Sequence, residues 1–174
     1  MTVASKQNSI LELPSFISPV KLLIVVAPYY RKIADNLVAG ARAEIKQAGG
    51  SSELVEVPGA LEIPTTIAIA SRQLDFDGYV ALGCIIRGET THYDTVCNDS
   101  SRALQLLGLQ GVCIGNGILT VENSKQAEDR ADVMRQNKGG GAALAALHLI
   151  ALSQKWGKPK GKVGFLSSDE TSEA

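Results

Sequence analysis

Short apolar runs alternate with stretches of helical period through most of the chain. Lys21 to Ala27 reads KLLIVVA, a continuous apolar run that suits a strand covered on both faces. Pro28 ends it, and Tyr29 and Tyr30 stand just past its carboxyl end. From Lys32 to Gln47 the residues Ile33, Leu37, Ala41 and Ile45 recur at the spacing of an amphipathic helix, which Gly49-Gly50 stops. Ser52 to Val57 carries Leu54, Val55 and Val57 and predicts a second strand. It runs into Pro58-Gly59-Ala60-Leu61-Glu62-Ile63-Pro64. A second helix is expected from Pro64 to Leu74, since a proline lacks only an N–H that a first turn leaves unpaired. Asp77-Gly78 turns the chain into a third strand, Tyr79 to Ile86, followed by a helix over about Thr90 to Leu107. Gly111 to Ile118, GVCIGNGI, reads as a fourth strand softened by its glycines. Ser124 is placed to cap a short helix that runs to Arg130. Asn137-Lys138-Gly139-Gly140-Gly141 then interrupts the helical pattern, and Ala142 to Trp156 forms a closing Ala/Leu helix.

The order is βαβαβαβα with a break in the last helical region. Short apolar strands alternating with helices predict an α/β fold, a parallel sheet with helices on both faces. Ligands of such sheets bind beyond the carboxyl ends of the strands. Tyr29, the turn from Gly59 to Glu62, Arg87 to His92, and Asn116 to Thr120 are therefore expected along one rim. Residues 1–19, with Pro14 and Pro19, read as an arm, 20–157 as one domain, and 158–174 as a flexible tail.

Composition narrows the function classes. The 174 residues suffice for a single core, and a net charge of −1 leaves no field to hold nucleic acid or an anionic membrane. Cys84, Cys97 and Cys113 are too few and scattered for a disulfide framework, and no C-x-x-C occurs. The two histidines, His92 and His148, lie too far apart to favour a structural zinc site. The start of the chain lacks the basic end and apolar run of a signal peptide, and no run of 18 apolar residues occurs, so a reducing cytoplasm is expected. Neither G-x-G-x-x-G after the first strand nor a P-loop is present, which counts against dinucleotide and nucleoside triphosphate binding.

Candidate chemistry concentrates in Ile85-Ile86-Arg87-Gly88-Glu89-Thr90-Thr91-His92-Tyr93-Asp94, where a strand ends in a turn that opens a helix. Free backbone N–H groups, two hydroxyls and a helix terminus suit a small anion, and a histidine, His92, suits proton transfer. The same residues also serve as ordinary helix caps elsewhere. Tyr29 offers a face for a flat heterocycle, or is a half-buried strand-end aromatic. Glu62 suits a polyol, or complements a helix dipole. Arg130 suits a phosphate, or forms a surface ion pair. Lys138 is a second anion contact, or a cation at a helix end.

Three segments together resemble one family. Val57-Pro58-Gly59-Ala60-Leu61-Glu62-Ile63-Pro64 resembles the VPGAxEIP segment of lumazine synthases. Ala81-Leu82-Gly83 through Ile86-Arg87-Gly88-Glu89-Thr90-Thr91-His92-Tyr93-Asp94 resembles their LGxVIRGxTxHxD segment. Gly117-Ile118-Leu119-Thr120 through Glu122-Asn123, Gln126-Ala127 and Arg130-Ala131 is similar to their GxLTxxxxEQAxxRA segment, and Asn137-Lys138-Gly139 to their NKG. Order and spacing agree from about residue 21 to 156.

The resemblance implies a flavodoxin-like three-layer α/β/α sandwich with four parallel strands, and a strand from the amino-terminal arm that pairs with a neighbouring subunit. It implies condensation of 5-amino-6-(D-ribitylamino)uracil with 3,4-dihydroxy-2-butanone 4-phosphate to 6,7-dimethyl-8-ribityllumazine, a step of riboflavin biosynthesis, with no metal or organic cofactor. Carried over by motif, Tyr29 stacks on the pyrimidine, and Gly59, Ala60, Leu61 and Glu62 border the ribityl chain. Cys84, Ile85 and Ile86 line the heterocycle, Glu89 and Thr90 hold the phosphate, and His92 transfers protons. Arg130 binds the phosphate and Lys138 lies near the ribityl chain, both contributed by an adjacent subunit of a homopentamer. Two departures stand out. Asn116 occupies a position that is usually aromatic and faces the heterocycle from the neighbour, so weaker binding of lumazine-like or flavin ligands is expected. Asp132-Val133-Met134-Arg135-Gln136 replaces a glycine-containing kink that shapes pentamer–pentamer contacts, so a single pentamer or a pair is expected rather than a closed shell. A lumazine- or flavin-binding paralogue with little activity is the alternative that Asn116 keeps open, and a purely structural shell is a third.

Overall fold

The structure, a computed structural model, describes residues 11–157. The start of the expected arm and the expected tail therefore lie outside the described residues. Residues 11–20 form no strand in the single chain, though Leu13 and Phe16 pack against the core. The elements are β1 (Lys21–Val26), α1 (Arg31–Gln47), β2 (Ser51–Glu56), α2 (Glu62–Gln73), β3 (Gly78–Ile86), α3 (His92–Leu109), β4 (Ile114–Val121), α4 (Ser124–Ala131) and α5 (Lys138–Trp156). The strands form one parallel sheet in the order β2-β1-β3-β4.

The apolar run of β1 is split by the pleat between two cores. Leu22, Ile24 and Val26 face a layer built by α1, α4 and α5, with Leu37, Ile45, Ala127 and Leu147 among its buried side chains. Leu23, Val25 and Ala27 face a second layer built by α2 and α3, with Ile63, Ile67 and Leu104. A strand covered twice must be apolar at every position, which is why its sequence shows no alternation. The arrangement is the flavodoxin-like three-layer sandwich. Among the described residues no helix is long and apolar enough to cross a membrane.

Two expected boundaries move. The fourth strand runs from Ile114 to Val121 instead of Gly111 to Ile118. Helix α3 continues to Leu109, and Gly111, at φ 90°, makes the left-handed turn that a side chain would oppose, so the strand starts later. The glycine-rich 137–141 segment is not a break but the start of α5. Asn137 caps it, its side chain accepting from the Gly140 N–H at 3.1 Å. A side chain on Gly139 would overlap the Leu37 carbonyl, and one on Gly115 would overlap that of Ala142. The glycines that look like helix and strand breakers are the points where α5 crosses α1 and β4 at backbone contact.

Candidate active site

A cleft of about 470 Å³ opens where the sheet order reverses. Helix α1 leaves β1 toward one face and α3 leaves the adjacent β3 toward the other, so a crevice remains between them at the strand ends. Its floor is the end of β3. Strand β1 stops opposite Leu82, where the Ala27 N–H donates to the Leu82 carbonyl at 2.9 Å, whereas β3 continues to Ile86 beside β4. By strand alternation the backbone groups of Cys84 and Ile86 face the side that β1 vacates. They offer donors and acceptors in a row beneath half-buried Cys84, Ile85 and Ile86.

The walls come from all three preceding connections. Tyr29 is 77% exposed and stands edge-on to Tyr30, with ring centroids 5.0 Å apart, leaving its face open. Across the cleft, the Gly59 to Glu62 turn is closed by the Glu62 N–H donating to the Gly59 carbonyl at 3.3 Å. A Cβ on Gly59 would lie 2.9 Å from a Glu62 carboxylate oxygen, so glycine leaves that carboxylate room. Glu62 sits in the first turn of α2, where the free amides favour its charge. His92 and Val96 enter from the first turns of α3. Burial pushes the Cys84 thiol up to about 11, so it stays protonated at neutral pH and is a packing group, not a nucleophile.

The turn between β3 and α3 is held at its two ends. The Arg87 N–H donates to the Val121 carbonyl at 2.9 Å. Its guanidinium pairs with Glu122 at 2.9 Å and with Asp94 at 3.3 Å. Two carboxylates thus offset its charge, and Glu89 adds another negative group nearby. Glu89 and Thr90 are exposed on the turn and lie outside the lining of this cleft; the His92 N–H reaches Thr90 Oγ1 at 3.4 Å.

The other expected site residues lie elsewhere. Asn116 sits inside β4, opposite Ala81, on the free edge of the sheet. Its Oδ1 accepts from the Ile118 N–H at 3.0 Å. Asn116, Thr120, Arg130 and Lys138 line a second cleft of about 520 Å³ between β4, α4 and α5. This corrects the expectation of one shared rim: the later start of β4 carries Asn116 to mid-sheet. Arg130 forms no ion pair among the described residues. Neither Arg130 nor Lys138 has a carboxylate partner among the described residues, as is also true of Arg42, Arg72 and Arg102. Tyr30 and Val96 belong to the first cleft without having been singled out; Val96 could have been found as the apolar residue one helical turn after His92.

Comparison with known proteins identifies the family. The family model described as 6,7-dimethyl-8-ribityllumazine synthase matches residues 19–154. A protein of that name from Jannaschia sp. (strain CCS1) is 58% identical over 163 residues, covering 94% of this chain and 92% of its own. Another from Novosphingobium aromaticivorans is 54% identical over 136 residues, covering 78% and 98%. One from Bartonella tribocorum is 53% identical over 138 residues, covering 78% and 91%. With a family model that spans most of the chain and relatives above 50% identity, the chain belongs to the 6,7-dimethyl-8-ribityllumazine synthase family.

Proposed function

We propose that this protein catalyses the condensation of 5-amino-6-(D-ribitylamino)uracil with 3,4-dihydroxy-2-butanone 4-phosphate, releasing 6,7-dimethyl-8-ribityllumazine, phosphate and water in riboflavin biosynthesis. The observation that carries the reading is the division of the family's site residues between two clefts of one chain. One holds Tyr29, Gly59, Ala60, Leu61, Glu62, Cys84, Ile85, Ile86 and His92. The other holds Asn116, Arg130 and Lys138. The first suits a flat pyrimidine with a polyol side chain, but its anion-facing turn has Arg87 already offset by Glu122 and Asp94. The second has cations without partners and nothing to stack a ring. Each is half of a site, and the halves meet when the β4 edge of one subunit faces the strand ends of the next.

The chemistry then follows the groups. The pyrimidine lies on the exposed ends of Cys84 and Ile86, covered by Tyr29, with Glu62 accepting from ribityl hydroxyls. Its 5-amino group attacks the carbonyl of the phosphate substrate, and His92 carries the proton that carbinolamine formation and dehydration must move. Departure of phosphate builds a dianion. Arg130 of the neighbouring subunit, the turn amides from Gly88 to Thr91 and the Thr90 hydroxyl receive it. Ring closure needs the second carbonyl held near the ribitylamino nitrogen, which is a matter of enclosure in the joint cleft.

A closed ring is the assembly that completes every site, and a pentamer or a pair of pentamers is our reading. Exposed Val133 and Met134, on a segment whose Arg135 is tied to Asp129 and Asp132, offer the pentamer–pentamer contact. A reducing cytoplasm accords with three free cysteines. The test is to mix purified protein with the two substrates and follow lumazine absorbance against a protein-free control, with light scattering on the same sample. Acceleration over the control is expected. No acceleration with pyrimidine binding intact would instead support the binding paralogue that Asn116 keeps open.

A further inference from the structure

Arg87 lines neither cleft, yet three side chains converge on it. Its Nε donates to both oxygens of Glu122, at 2.9 and 3.2 Å, and one terminal N–H donates to Asp94 Oδ1 at 3.3 Å. The guanidinium carbon stands 4.0 Å from the centroid of the Tyr93 ring. Glu122 follows directly on β4, and its own amide donates to the Gln126 side chain at 3.0 Å. Asp94 and Tyr93 belong to the first turn of α3, beside His92. One planar fork therefore ties the end of β4 to the start of α3 across the end of β3.

What lies between is held by little else. Among the described residues the amides of Gly88, Glu89, Thr90 and Thr91 donate to no acceptor. Nothing lies within 4 Å of the place a Cβ would take on Gly88. The same amides and His92 must be placed to a fraction of an ångström for the reaction proposed above, on which this inference rests. We infer that Arg87 is a positioning residue, whose guanidinium sets the turn amides and the His92 imidazole against the β3 floor without touching substrate. Because Glu122 and Asp94 already offset its charge, it is not a phosphate ligand. A lysine there keeps one charge but cannot span both carboxylates and lie flat on Tyr93.

The test compares wild type with Arg87→Lys and the harsher Arg87→Met, in the assembled protein. Both should lower kcat by about 10- to 100-fold, while KM for the pyrimidine substrate stays within about twofold, since Tyr29 and Glu62 hang on other elements. The chain has two histidines, and His148 lies in α5 as an internal reference. In histidine-labelled protein the His92 ring signals should move in both variants and those of His148 should not. Unmoved His92 signals would overturn the inference whatever the kinetics. So would unchanged kcat, or a rise in KM that tracks a fall in melting temperature, which marks a merely structural role. His92 signals that move in both variants, alongside a wild type that proves inactive, would support the tether and refute the reaction.

Discussion

Mixing two crippled variants asks whether the two half-sites of different subunits work together. His92→Ala and Arg130→Ala each remove one functional group and little structure. His92 is exposed at the head of α3, and Arg130 leaves no carboxylate unpaired among the described residues. Loss of a proton-transfer group costs about 10²- to 10⁴-fold in rate. Loss of a cation at a developing charge costs about 10²- to 10³-fold. Each homogeneous variant should therefore be nearly silent. On the proposed composite site, each site of a mixed ring takes His92 from one subunit and Arg130 from the next. At equal proportions each half is intact with a probability of about one half, so about one quarter of wild-type activity returns, whatever the size of the ring. Activity should follow the product of the two fractions and peak at the equal mixture. The assay is lumazine formation after co-expression or joint refolding at several ratios, with thermal melts to confirm that both variants fold. If both groups belonged to one subunit, no subunit in the mixture would carry both, and no activity would return at any ratio. That result would refute the assignment of the two clefts to one composite site.

Gly139→Ala should destabilise the fold by about 1–3 kcal/mol, because its methyl group meets the Leu37 carbonyl at the α1–α5 crossing; an unchanged urea midpoint would contradict that packing. Asn116→Trp should tighten lumazine binding about five- to tenfold by adding a stacking face, read by fluorescence quenching, at little cost to stability because water replaces its bond to the exposed Ile118 amide; equal affinity would show that this edge does not face the ring. Cys84→Ser should keep turnover within about fivefold, since a thiol that ionises near 11 supplies no thiolate at neutral pH. The same thiol sets an alkaline limb of stability. Its folded pKa, about 11, lies above the ordinary 9.0. Its contribution is therefore complete below pH 9.0 and is lost as pH rises through about 11. Melting temperature should fall more steeply over that interval in wild type than in Cys84→Ser, and parallel curves would contradict the burial.

The sequence alone determined the layers. A doubly covered strand must be apolar where it is covered, as at Leu22 to Ala27, and an amphipathic helix must repeat as Ile33, Leu37, Ala41 and Ile45 do, because these patterns are local consequences of burial. Two of the three motifs, at Pro58 to Glu62 and Arg87 to His92, stand just past strand ends, which the alternation of elements locates; the third begins inside β4. Glycine was where local reasoning failed. Gly111, Gly115 and Gly139 carry one composition signal but do three things: a left-handed turn, a close strand–helix approach and a helix–helix crossing. Which of these a glycine does depends on what packs against it, so the start of β4 and of α5 waited for the tertiary structure. So did the separation of the site. That Asn116, Arg130 and Lys138 face away from His92 follows from the strand order, which puts β4 at an edge, and strand order is a property of long-range pairing that no local pattern encodes.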